Sequence, residues 1–195
     1  MVPDEILVQQ SRQGDKEAFA ALMERYQDKI YNLTYRLVSN PDDASDLTQE
    51  AFYRALLRIN SFRGESGFAT WLYRIATNVC YDELRARRNR RVVSLDTAPD
   101  GPAPELPDQA AGPAEMCIQG VVWQRLQEAI ATLPLEQRAT VVLRDVQGLS
   151  YEEIAQVLQC SLGTVKSRLS RARQALRDKL MSERELFFPE HVYNG

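Results

Sequence analysis

A stretch of 24 residues near the middle of the chain decides most of what the rest can fold into. Residues 92–115 hold Asp96, Asp100, Glu105, Asp108 and Glu115 with no basic side chain, and Pro99, Pro102, Pro104, Pro107 and Pro113 fall among them. Proline has no backbone N–H to donate, and few large apolar residues remain here to offset the entropy of ordering the backbone. The segment reads as a flexible, Pro-rich acidic linker. The 195 residues therefore divide into an N-terminal body over 1–91 and a C-terminal body over 116–181, with a tail over 182–195. Large barrels and multidomain enzymes are excluded by length.

Charge is segregated along the same division. The formal net charge is only −3, and residues 1–84 carry 9 basic against 13 acidic side chains. Arg85, Arg87, Arg88, Arg90 and Arg91 then crowd into seven positions with no acid. A second basic group, Lys166, Arg168, Arg171, Arg173, Arg177 and Lys179, faces only Asp178 within its own segment. Each body thus carries a basic patch that the net charge hides, which points to nucleic acid as a partner. Three separated cysteines (Cys80, Cys117, Cys160) and the single histidine His191 form no metal-ligand spacing, so free thiols and no cofactor are expected. No apolar run reaches the roughly 18 residues that a membrane span needs, and the first residues are acidic where a secretory signal is basic. A cytoplasmic chain with no direct membrane insertion is the expectation.

Hydrophobic spacing gives an all-α fold. Phe19, Leu22, Tyr26, Ile30, Leu33 and Leu37 recur at steps of three and four, which predicts a helix with one buried stripe. Asn40-Pro41 stops it, and Ala44, Leu47, Ala51, Ala55 and Ile59 continue the period in a second helix. Gly64 and Gly67 break the chain before a third, marked by Phe68, Leu72, Ile75, Ala76, Val79 and Leu84, that runs into the arginines. In the second body helices are expected through Val122 to Ile130 and from about Leu135 to Val146. Leu149-Ser150-Tyr151-Glu152-Glu153-Ile154 then reads as a capping box with a hydrophobic staple. A short helix to Leu158, a turn through Gln159, Cys160 and Ser161, and a basic helix from Leu162 make a helix-turn-helix.

The second helix of that motif sets Thr164, Lys166, Ser167, Ser170 and Arg171 where short and basic side chains reach base edges and phosphates. A basic helix can also be only a solvated face. Upstream of the arginine run, Phe68, Trp71, Tyr73, Asn78 and Tyr81 could stack on and hydrogen-bond unpaired bases. The same aromatics at helical spacing could equally be core. Asp42, Asp43, Asp46 and Glu50 form an acidic stripe; with Gln49 and Phe52 beside it, the stripe suits a basic protein partner, and magnesium binding is the alternative.

Four blocks together resemble bacterial RNA polymerase sigma factors of the extracytoplasmic-function group, in the sigma-70 family. They are Gly14-Asp15-Lys16-Glu17-Ala18-Phe19; Asp46-Leu47-Thr48-Gln49-Glu50-Ala51-Phe52; Ser61-Phe62-Arg63-Gly64 with Thr70-Trp71-Leu72-Tyr73-Arg74-Ile75-Ala76-Thr77-Asn78; and Gly148-Leu149-Ser150-Tyr151-Glu152-Glu153-Ile154-Ala155 with Gly163-Thr164-Val165-Lys166-Ser167-Arg168. The resemblance implies that core RNA polymerase binds Asp46, Gln49, Glu50 and Phe52. It implies that the minus-ten element of promoter DNA is read and melted by the third helix through Phe68, Arg74, Asn78, Tyr81, Arg85 and Arg88. It implies that the minus-thirty-five element is read by Thr164, Lys166, Ser167, Arg168, Ser170, Arg171 and Arg173. An anti-sigma factor is a further implied partner, and the chain is not expected to be an enzyme. Gly67-Phe68-Ala69 is less polar than the form common in the family. A free-standing helix-turn-helix regulator, a metal-dependent nuclease on the acidic stripe, and a pure protein-binding module are the competing readings. At about 5–6 Å per square-root residue the linker spans roughly 27 Å, and taut about 80 Å, a little over two turns of B-DNA at ~34 Å each.

Overall fold

The computed structural model describes residues 2–94 and 114–187, and side chains over 2–90 and 123–182. The predicted linker, the tail beyond Ser182, Arg91, Cys117 and His191 lie outside the residues described at side-chain level. Eight α-helices and no strand occur among the described residues.

α1 (Asp4–Arg12) was not foreseen; its pattern is short and its buried residues are only Leu7, Val8 and Ser11. Asp4 ties it to α2 through Arg25 and the Tyr26 hydroxyl. α2 (Lys16–Val38) begins where the Asp15 carboxylate accepts from the Glu17 and Ala18 N–H groups at 2.9 and 3.2 Å, satisfying donors that the first helical turn leaves orphaned. It buries the predicted stripe of Phe19, Leu22, Tyr26, Ile30, Leu33 and Leu37. Ser39 ends it in the left-handed region at φ 59°, and Asn40 caps α3 (Pro41–Arg58) by accepting from Asp43 N–H at 3.0 Å. A buried knot then joins α2 to α3. Thr34 and Thr48 hydroxyls meet at 2.9 Å and both reach the Ala44 carbonyl. A 3-10 turn (Ile59–Ser61) and a loop containing Gly64 at φ 74° lead into α4 (Phe68–Ser94).

The second body starts with α5 (Ala114–Thr132), and α6 (Leu135–Val141) runs on as a π-helical turn over Val142–Val146. Gly148, at φ 76°, supplies the reversal that an L-residue resists, and α7 (Tyr151–Leu158) follows. Its capping box is complete. Glu153 N–H donates to the Ser150 hydroxyl at 3.2 Å while the Glu153 carboxylate accepts from Ser150 N–H at 2.8 Å. Gln159 makes the turn at φ 49°, Ser161 caps the next helix by accepting from Thr164 N–H at 3.1 Å, and α8 (Leu162–Phe187) carries the basic residues. Its helical backbone extends past residue 181, so the first part of the predicted tail is helix.

The bodies are not held apart. Buried apolar residues of both belong to one continuous core, from Leu7 in α1 to Ala172 in α8. α4 packs against α7, and α2 against α5 and α6.

Candidate nucleic-acid interface

Val165, Leu169 and Ala172 anchor α8 in the core, which fixes what its other faces present. Lys166, Ser167, Ser170 and Arg171 are exposed, and Lys166 and Arg171 form no ion pair among the described residues. Thr164, half-buried, shares a hydrogen bond with the Ser161 hydroxyl at 2.9 Å. Arg168 and Arg173 depart from the expectation of a wholly available basic face. Arg168 pairs with Glu136 of α6, and its side chain is only 20% exposed. Arg173 grips Asp145 of the π-helical turn through two bonds, at 2.5 and 3.0 Å. These two arginines brace α8 on the scaffold behind it. A groove of about 420 Å³ lies beside Lys166, Ser170, Arg173 and Arg177, with Tyr151 at its wall.

On α4, Arg74, Asn78, Tyr81, Arg85 and Arg88 recur at steps of three and four and so share one face. Asn78, Arg85 and Arg88 are exposed, Arg74 is half-buried, and the Arg85 guanidinium lies 5.8 Å from the Tyr81 ring centre. Phe68 is a correction. It is 4% exposed, in an aromatic cluster with Tyr26, Phe62 and Trp71 at centroid distances of 5.6, 6.0 and 5.7 Å. The ring closes the core under the loop and offers no face for stacking on a base. Arg87, inside the basic run, is also engaged: it joins Asp43 of α3 and Glu83 of its own helix, with Arg90 on Glu83 as well. The Arg87 hydrogen bond holds the carboxyls of Asp43 and Glu83 below their ordinary range.

The acidic face of α3 is likewise rearranged. Asp46 and Gln49 are exposed, and Glu50 accepts from Arg54 at 2.6 Å, with Arg54 bridging on to Asp82 of α4 at 3.3 Å. Phe52 points inward at 3% exposure, a second correction: one residue further on, Tyr53 is 58% exposed and Leu57 65%. Asp46, Glu50, Tyr53 and Leu57 stand three or four apart on one stripe, flanked by Gln49 and the 45% exposed Leu56. The sequence reading missed Tyr53, Leu56 and Leu57. Their signal was there: they break the buried period of Ala51 and Ala55, so they lie outside the core stripe. Asp43 and Glu50 are each held by an arginine, and no group of three His, Cys, Asp or Glu side chains is arranged to hold a metal among the described residues.

Burial pushes the Cys80 thiol up to about 12, which makes it a poor nucleophile. It also pushes the phenols of Tyr73 and Tyr81 up to about 12, helped by the nearby carboxylates of Glu153 and Glu136 respectively.

Comparison with known proteins agrees with this layout. The family model described as Sigma-70 region 2 matches residues 22–90, and that for Sigma-70 region 4 matches 123–176. The chain is 41% identical over 177 residues to the RNA polymerase sigma-H factor of Pseudomonas aeruginosa, covering 89% of this chain and 91% of the relative. It is 39% identical over 181 residues to the ECF RNA polymerase sigma-E factor of Escherichia coli K12, covering 91% and 94%. Among solved structures it is similar to the sigma factor RpoE of Bartonella quintana in complex with the anti-sigma factor NepR. There the TM-score is 0.66 at 29% identity, over 84% of this chain and 96% of that one. It is similar also to CnrH in complex with the cytosolic domain of CnrY, with a TM-score of 0.69 at 25% identity over 92% and 97%.

Proposed function

The chain belongs to the sigma-70 family as a sigma factor of the extracytoplasmic-function group, directing RNA polymerase to promoters in transcription initiation, and from that premise we propose how its surfaces divide the work. The exposed stripe of α3, with Asp46, Gln49 and Glu50 beside Tyr53, Leu56 and Leu57, docks core RNA polymerase. Acidic groups give the encounter its direction, and the apolar side chains give it contact area. Arg74, Asn78, Tyr81, Arg85 and Arg88 on α4 take the opened minus-ten element. The arginines hold phosphates while the amide of Asn78 can pair with a base edge once the base has left the stack. Thr164, Lys166, Ser167, Ser170 and Arg171 read the minus-thirty-five element in the major groove, with Arg168 and Arg173 fixing the height of α8 above it.

One observation carries this reading: α8 starts at a capped turn and turns Lys166, Ser167, Ser170 and Arg171 outward while burying Val165, Leu169 and Ala172. Trapping extruded bases supplies the free energy of melting, a few kcal/mol per unstacked step, so the chain needs no hydrolytic chemistry of its own. It acts in the cytoplasm, where polymerase and promoters are; no helix among the described residues is long and apolar enough to cross a membrane. One solved relative is in complex with an anti-sigma factor, and an anti-sigma factor is the partner that would hold this chain in a stress or envelope response. The test is to mix the purified chain with core polymerase and a promoter library and sequence the transcripts. A discrete set of new start sites with a shared pair of upstream elements is expected. An unchanged start-site profile would overturn the assignment, and Asp46→Ala with Glu50→Ala should abolish the new sites by loss of polymerase binding.

A further inference from the structure

α1 carries none of the residues assigned to DNA or to polymerase, yet its first turn is tied into the body behind it by charge-assisted bonds. The Asp4 carboxylate accepts from the Arg25 guanidinium on one oxygen and from the Tyr26 hydroxyl on the other, and Arg25 also donates to the Val2 carbonyl at 2.7 Å. Burial, and then the Asp4 carboxylate, push the Tyr26 phenol up, so it stays a donor. Other buried hydroxyls are less well served: those of Thr77 and Tyr81 on α4 have no hydrogen-bond partner among the described residues.

The Tyr26 ring is the next link. It meets Phe68 edge-on at a centroid distance of 5.6 Å, and Phe68 meets Phe62 at 6.0 Å and Trp71 at 5.7 Å, with Phe62 and Trp71 5.3 Å apart. Rings this close hold preferred angles, so a shift of one is passed to its neighbour. Phe62 is the only large apolar side chain of the loop 61–67, and it packs against the core while Arg63, Gly64, Glu65 and Gly67 are exposed. Backbone hydrogen bonds hold that loop at its ends, from Phe62 N–H to the Ile59 carbonyl and from Trp71 N–H to the Gly67 carbonyl, both at 3.2 Å. α1 also packs on the 3-10 turn that opens the loop. The loop, with Trp71 and Arg74, lines a cleft of about 540 Å³, and Arg74 belongs to the face assigned to the minus-ten element. A binding site keeps its geometry to within about 0.5 Å only when the packing behind it is locked.

We propose that α1 is a positioning element for minus-ten selectivity: Asp4 and Tyr26, acting through Phe68 and Phe62, set where the loop 61–67 stands beside Arg74 and thereby which bases the site prefers. The inference rests on the functional reading above. Asp4, Tyr26 and Phe68 do this without touching DNA. Phe68, closed off from any base, then contributes to base choice from beneath.

The test uses the full-length chain with core polymerase and a promoter library randomised at the minus-ten element, its minus-thirty-five element fixed as recovered from the first library. Tyr26→Phe keeps the ring on Phe68 and deletes only the hydroxyl, and Asp4→Ala removes the other partner. A misplacement of about 1 Å can cost up to ~100-fold where geometry decides, so each variant should change the relative use of at least one pair of minus-ten bases by at least about threefold. Because both cut one contact, the double variant should change it no further. A companion library randomised at the minus-thirty-five element should return the parent's preferences. Ser11→Ala is the control: its hydroxyl donates to the Leu7 carbonyl inside α1 at 2.7 Å, so its loss loosens the helix without cutting the link and should leave both profiles as they are. A loss of transcription spread equally over the minus-ten library, partial or complete, would reduce Asp4 and Tyr26 to a structural role and overturn the proposal. An equal shift of the profile by Ser11→Ala would overturn it as well. Either result leaves the function standing, whereas a parent chain that yields no start sites removes the functional reading and this inference with it.

Discussion

Lys166 and Arg171 reach solvent from α8 with no carboxylate holding them among the described residues, whereas Arg173 is spent on Asp145. Alanine at either of the first two should cost about 1–3 kcal/mol of promoter affinity and relax preference at one position of the minus-thirty-five element. Arg173→Ala should lower affinity less and evenly across sequences, because an exposed ion pair is worth only about 0–1 kcal/mol. Quantitative binding to a panel of single-base promoter variants separates the two patterns. Phe52→Ala, by contrast, should lower global stability by about 3–5 kcal/mol, read as a fall in the denaturation midpoint. Phe52 and Phe68 mark where residue-level reading stopped working. An aromatic ring at a helical period looks the same in sequence whether it faces a partner or a core, and only the tertiary packing that buries both rings decides. Asn78 falls outside the buried period of Leu72, Ile75, Ala76 and Val79, and it is exposed.

At the scale of elements, the local chemistry was almost fully readable. Ser150 and Glu153 at the start of α7, Asn40-Pro41 before α3 and the turn at Gln159 stand where the sequence put them, because caps depend on neighbours within four residues. Ser150→Ala should destabilise the chain by about 0.5–2 kcal/mol. Glu153 gives this cap a pH dependence. Hydrogen bonds from Ser150 depress its folded-state pKa, so its stabilisation is complete above the ordinary Glu value of about 4.3 and is lost as pH falls through the lowered folded value. Thermal midpoints measured downward from pH 6 should fall in the parent more steeply than in Glu153→Gln. The ion pairs were not readable. Asp43 with Arg87, and Arg54 with Asp82, link α3 to α4 across 44 and 28 positions of sequence, and no periodicity predicts such distances. The first takes Arg87 out of the basic run, and Glu83 of the same helix engages Arg90. For α8, neutralising about four phosphates should give a slope near −3.6 in log affinity against log salt, checked by titration between low and physiological ionic strength.

The whole molecule was legible as two helical bodies and a proline-rich connection, but the contact between them was not. Its polar members, Arg36, Gln127 and Gln147, are ordinary surface residue types, and nothing in their spacing says that they meet across the chain. What the sequence could offer was the charge map, which placed a basic patch on each body and implied two separate grips on one promoter. Modest affinities on a shared platform multiply, because the second contact becomes intramolecular. The two unpartnered oxygens on α4 add a consequence of a different kind. Replacing Thr77 with valine deletes one of them at nearly constant volume, which removes the cost of a buried unpaired hydroxyl. The margin by which this fold holds is thus adjustable at a single oxygen atom of Thr77, with every side chain assigned to DNA or to polymerase left as it is.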